Sequence, residues 1–213
     1  MTDVGLLFVG AVLIVNGIML LGRMTPKAAA PLNFFVGALQ VVTPTFVIIT
    51  AGSDREVIAA AAGLYLFGFT YLWVGINAAT GWPDHGLGWF SLFVSVSAVG
   101  FAAFTWTQGG RVFVVIWLAW SLLWFLFFLV LALERADLAD FTGAVAIVEG
   151  VLTAAVPASL ALSGLWRDSG TVAVAAAVLL VVLFAGSWTL TQRSARGRTT
   201  GSALGQVDGE TTR

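Results

Sequence analysis

Phe113 to Leu133 reads FVVIWLAWSLLWFLFFLVLAL, with no charged residue in it. A membrane-crossing helix needs about 20 consecutive, mainly apolar residues, each adding about 1.5 Å of rise. This stretch is long enough to span. Within it Trp117, Trp120 and Trp124 stand at spacings of three and four. Positions i, i+3 and i+7 share one face of a helix, so the three indoles form a stripe. Such a stripe either packs against a neighbouring helix or lines a lumen.

The rest of the chain has the same character. Its 213 residues are 59% hydrophobic and 10% charged, with a mean hydropathy of +0.97. A soluble domain carries roughly 25% charged residues, so an all-α integral membrane protein is expected. Seven stretches qualify as spans: Val4–Gly22, Leu32–Ala51, Val57–Ala78, Leu87–Trp106, Val112–Leu133, Phe141–Leu165 and Val172–Thr191. The links between them carry turn or charge signals, among them GRMTPKAAAP, GSDRE, GWPDHG, TQGGR and ERADLAD. The first stretch is long, follows an acidic residue (Asp3) and precedes Arg23 and Lys27, so it reads as a permanent span and not a cleaved signal. Residues 1–191 are expected to form the transmembrane domain. Residues 192–213, mostly Gly, Ser, Thr and Arg, read as a disordered cytoplasmic tail.

Composition also excludes chemistry. A net charge of −1 offers no field for nucleic acid. The chain has no cysteine and one histidine, His85, so thiolate chemistry and a His-built metal site are excluded, and no cofactor is expected. No Ser–Lys pair or paired aspartate lies inside a span, which speaks against an intramembrane enzyme. A retinal protein would need a lysine in its last span, and the one lysine, Lys27, is in a loop. Nine arginines against that lysine, with abundant Ala, Gly and Val, suit a GC-rich bacterial genome and hence a bacterial inner membrane. With the N-terminus outside, seven basic residues (Arg23, Lys27, Arg135, Arg193, Arg196, Arg198, Arg213) face the cytoplasm and three (Arg55, Arg111, Arg167) face out. Cytoplasmic loops favour Lys and Arg, so the expected topology is N-out, C-in.

Polar groups at membrane depth are costly and by default functional. Glu149 is the one carboxylate well inside a span, roughly 12 Å from its inner end. Asn16, Tyr71 and Trp124 fall at similar depth in the first, third and fifth spans, roughly 9–14 Å from the same boundary. Four helices thus bring a carboxylate, an amide, a phenol and an indole to one level, as a narrow polar constriction in an apolar tube would require. In the third span Phe67 stands one turn from Tyr71, and Phe69 one turn from Trp73. Only one of these two faces can be luminal. Pro44 and Pro157 are expected to kink the second and sixth spans. Trp82, Trp89, Trp106, Trp166 and Trp188 lie near span ends and read as interfacial anchors, and Asp84–His85–Gly86 as a turn.

The segments VGAVLIVNGIMLLG, LNFFVGALQVV, LFGFTYLWVGIN, GWFSLFV, IWLAWSLLW and AIVEGVLTAAVPASLAL together resemble the urea/amide channel family (UreI/AmiS), in register over about residues 1–166. The resemblance implies three helical hairpins around a pore in each protomer, a ring of six protomers, and passive permeation of urea or short aliphatic amides. It implies a pore lined by Leu6, Val9, Leu13 and Asn16, by Phe67 and Tyr71, by Phe113, Trp117, Trp120 and Trp124, and by Glu149. It suggests a functional link to a cytoplasmic amidase or urease. The seventh span is what the amidase-linked branch would carry. The outer turns are short and lack the histidines of acid-gated members, so a channel without acid gating is expected. A proton-coupled amide transporter using Glu149, and a non-transporting membrane sensor or assembly subunit, are the competing functions.

Overall fold

Each of the seven apolar stretches is a helix in the computed structural model, which describes the backbone of residues 2–210 and the side chains of residues 3–193. The helices are α1 (Thr2–Leu20), α2 (Pro26–Thr50), α3 (Arg55–Thr80), α4 (His85–Thr107) and α5 (Arg111–Leu131). The sixth span is composite: a 3-10 turn (Ala136–Leu138), α6 (Ala139–Glu149), a π-helical turn (Gly150–Ala155) and α7 (Val156–Leu162). The seventh is α8 (Gly170–Glu210), whose apolar membrane-length part is Gly170–Arg193. No strand occurs among the described residues. The tail expected over 192–213 falls almost wholly beyond the described side chains.

Local chemistry explains where the helices start and stop. Asp54 accepts from Glu56 N at 3.0 Å and Val57 N at 3.1 Å, capping α3. Gly81, at φ +76°, ends α3 with its N–H on Asn77 O, in a conformation that favours glycine. Asp168, from the link before α8, accepts from Val112 N at 3.0 Å and caps α5 from a distance in sequence. α2 begins at Pro26, well before the expected Leu32. Pro26 sits in the first turn, where its missing N–H costs nothing, and Ala28 to Ala30 favour helix.

Six spans close a ring. α2 lies along α3, α4 along α5, and α1 along α6 and α7, with lighter contacts of α1 to α2, α3 to α4 and α5 to α6 completing the circle. Two of the antiparallel pairs are neighbours in sequence, and the third joins the two ends of the ring. Glycines permit that third closure. A Cβ on Gly17 would lie 2.5 Å from Gly143 O, and one on Gly143 would lie 2.9 Å from Gly17 O. Seven residues along each helix, Gly10 and Gly150 repeat the arrangement at 2.7 and 2.9 Å. Small residues let helix backbones approach in lipid, where no hydrophobic force drives them together. α8 packs outside the ring against α5 and α6.

The prolines are absorbed without ending their spans. Pro44 lies inside a continuous α2 and removes the N–H that would have reached Gln40 O. Beside that carbonyl α3 carries Gly68, where a Cβ would stand 3.0 Å from it. Pro157 follows the π turn, where Val156 N reaches Val151 O five residues back. The outside of the ring is apolar: Phe35 and Ile49 are 72% and 74% exposed, as a surface meeting lipid tails should be. Phe69 is 49% exposed and Phe67 2%, so the Phe67–Tyr71 face of α3 is the inner one. Trp82, Trp89, Trp106 and Trp188 are exposed, whereas Trp166 is half-buried against Phe113.

Candidate functional site

The α5 stripe turns into the ring. Phe67 stands at its centre, with ring centroids 5.8 Å from Trp117, 4.7 Å from Trp120 and 5.0 Å from Trp124. Trp117 meets Trp120 edge-on at 5.0 Å and stacks on Phe101 at 4.9 Å. Tyr71 lies 6.5 Å from Phe67, one turn along α3. Val9 and Leu13 of α1 belong to the same buried cluster. The structure thus brings Val9, Leu13, Asn16, Phe67, Tyr71, Trp117, Trp120, Trp124 and Glu149 into the buried interior. Leu6 and Phe113 sit at its margin, only partly buried, and Phe113 pairs with Trp166 at 5.5 Å.

The indole N–H groups are already occupied. Trp120 Nε1 donates to Thr153 Oγ1 at 2.9 Å, and Trp124 Nε1 to Thr70 Oγ1 at 3.2 Å. Each threonine passes its own proton to its helix, Thr153 to Glu149 O at 2.6 Å and Thr70 to Leu66 O at 2.7 Å. The two rings are therefore fixed in orientation and offer their faces rather than their donors. These threonines escaped the reading of the sequence. Their signal was position: Thr70 precedes Tyr71, and Thr153 follows Glu149 by one turn.

Glu149 ends α6 where the π turn begins, a backbone feature frequent at functional sites. Its carboxyl group is wholly buried, and neither oxygen has a hydrogen-bond partner among the described residues. The Tyr71 hydroxyl, within electrostatic reach of Glu149, is equally unpaired. Buried polar groups are nearly always hydrogen-bonded, and leaving one unsatisfied costs about 1–3 kcal/mol. Three such atoms at one level of a membrane helix ring mark a place kept for something polar.

On the side of the α1 C-terminus a cavity of about 40 Å³ adjoins this level, lined by Leu13, Asn16, Thr70, Tyr71, Ser91 and Phe127 among others. That is room for no more than a few waters. Met19, Leu20, Val74 and Leu87 line both this cavity and a wider vestibule of about 840 Å³ bounded also by Lys27, Asn77, Trp82 and Asp84. The Asn16 amide is partly used: it exchanges two hydrogen bonds with Asn33 of α2. No group of three metal-ligating side chains occurs among the described residues.

A ring of membrane-crossing helices around a narrow interior, with fixed indole faces and one unpaired carboxyl group, defines a small-solute membrane channel or transporter. Residues 1–165 match the sequence profile of the AmiS/UreI family transporter, and the chain belongs to that family. It is 57% identical over 187 residues to a Mycolicibacterium smegmatis protein named for the transport of amidate substrates, covering 87% of this chain and 86% of that one. It is 37% identical over 185 residues to the acid-activated urea channel of Helicobacter pylori strain J99, covering 73% of this chain and 94% of that one. The crystal structure of the Helicobacter pylori urea channel superposes with a TM-score of 0.70 at 36% identity, over 78% of this chain and all of that one. Members of the family are channels and transporters, not enzymes.

Proposed function

We propose that this protein is a passive channel for urea and short aliphatic amides, without acid gating, in a bacterial inner membrane. The observation that carries the reading is the unpaired Glu149 carboxyl group and Tyr71 hydroxyl beside indoles whose own N–H groups are tied down. Urea and acetamide are flat, neutral and rich in N–H. An indole face accepts a flat amide, and the Glu149 oxygens accept its N–H groups. A hydrated ion would shed its water in an aromatic slot without compensation. The eleven residues expected from the family resemblance, Leu6 to Glu149, are proposed as the pore lining, with Leu6 and Phe113 at its mouth. The protomer is proposed to assemble with five further copies, to present its N-terminus outside, to carry a cytoplasmic tail over 192–213, and to serve a cytoplasmic amidase or urease.

Stopped-flow light scattering on proteoliposomes tests this. Urea and acetamide are expected to equilibrate much faster than in protein-free liposomes, and glycerol, which is neither planar nor an amide, to show little acceleration. Equal acceleration of all three solutes would reject the amide-selective reading, and no acceleration would favour a non-transporting sensor or assembly subunit.

A further inference from the structure

Asn16 lines the inner cavity, and the orientation of its amide is set by a residue outside the family-derived lining. Asn16 Nδ2 donates to Asn33 Oδ1 at 2.9 Å, and Asn33 Nδ2 donates back to Asn16 Oδ1 at 2.7 Å. The remaining N–H of Asn33 donates to Ala29 O at 3.0 Å. A main-chain carbonyl can only accept, so the Asn33 atom facing Ala29 O is its nitrogen. Asn33 Oδ1 is thereby an acceptor, and the Asn16 atom facing it is nitrogen too. The backbone of α2 thus dictates the orientation of both amides.

The inventory of donors then has one answer. A carboxamide has two N–H groups. Asn33 has used both, whereas Asn16 has used one and makes no further side-chain hydrogen bond among the described residues. Asn16 lines the cavity together with Tyr71, Thr70 and Ser91. The hydroxyls of Thr70 and Ser91 donate to Leu66 O and to Leu87 O at 2.7 and 2.8 Å, so neither is a spare donor. The uncommitted donors at this cavity are the second N–H of Asn16 and the O–H of Tyr71. Glu149 does not line this cavity; its two oxygens are unpaired acceptors in the buried interior.

We propose that Asn33 is a positioning residue for permeant selection: by locking the Asn16 amide it holds an N–H donor at the inner cavity for the carbonyl oxygen of the solute. The oxygen of the solute then meets a donor at this cavity, which favours carbonyl compounds over flat analogues with a poor acceptor. The inference rests on the permeant class proposed above.

The test compares urea with thiourea, whose sulfur is a weaker acceptor, in proteoliposomes of wild type and Asn33→Leu. In the variant, urea still crosses, and the urea-to-thiourea rate ratio falls about fivefold, the worth of roughly one neutral hydrogen bond. A folded Asn33→Leu protein, by gel filtration and thermal melt, with the wild-type ratio would overturn the proposal and leave Asn33 as a clamp between α1 and α2. If Asn33→Leu does not fold, Asn16→Asp decides. It keeps an oxygen for Asn33 Nδ2 but removes both N–H groups of Asn16, the one bonded to Asn33 Oδ1 and the spare one; the same fall in ratio supports the proposal, and a wild-type ratio overturns it. Failure of the wild-type protein to pass urea at all would reject the permeant class itself, a result distinct from an unchanged ratio.

Discussion

Glu149 illustrates how far single residues speak. Its depth in an apolar run marked it from the sequence alone, because a carboxyl group at that level must find water or a partner. Tyr71, Trp124 and Asn16 were legible for the same reason, by counting rise along each helix. Their partners were not. That Thr70 and Thr153 hold the indoles, and that Asn33 holds Asn16, depends on which helix lies beside which, and no spacing within one span encodes that. A Glu149→Gln protein is expected to fold, since the amide has nearly the same shape and, being neutral, costs less to bury than a carboxylate, and to shift the urea-to-acetamide rate ratio. Trp120→Ala is expected to raise glycerol passage relative to urea by opening the slot beside Phe67. Stopped-flow uptake checks both, and wild-type ratios in both would return these side chains to plain packing.

At the scale of elements, the seven spans were readable because hydropathy and span length are local properties. The start of α2 was not, because a Pro-flanked alanine run looks like a loop until its first-turn position is known. The π turn was equally hidden; what the sequence showed was Pro157, whose effect appears one turn earlier as a widened helix beneath Glu149. The pairing of α1 with the sixth span rests on glycines seven apart on both helices, a pattern that points to a partner only once the partner is known. Gly17→Ala and Gly150→Ala should each destabilise the protein by about 1–3 kcal/mol through forced overpacking. Gly186→Ala, where an added methyl meets nothing within 4 Å, should leave stability unchanged. Detergent-solubilised thermal melts measure the difference, and equal melting temperatures for Gly17→Ala and wild type would remove the glycine seam as the cause of closure.

The whole molecule is a closed ring with an extra helix laid against its outside. Its proposed orientation rests on the basic residues, which divide seven to three when the N-terminus is outside. Reporters fused before Met1 and after Arg213 are expected to read external and cytoplasmic, and matching sides would show that α8 does not cross. In that orientation two of the outer carboxyl groups, Asp54 and Asp168, already cap α3 and α5. His85 lies at the opposite end, 2.9 Å from Glu134. The outer turns therefore lack the group that ordinarily titrates between about pH 5 and 8.

The central claim is that amides cross down their own gradient through a pore that needs neither protons nor an acid signal. Urea uptake into proteoliposomes tests it most directly, measured with the pH gradient imposed in either direction and again after an ionophore collapses it. The account predicts one rate, constant within about twofold as the external pH falls across the histidine range. Uptake that vanishes with the gradient would make Glu149 a proton carrier in a coupled transporter. A steep rise with external acid alone would show a gate.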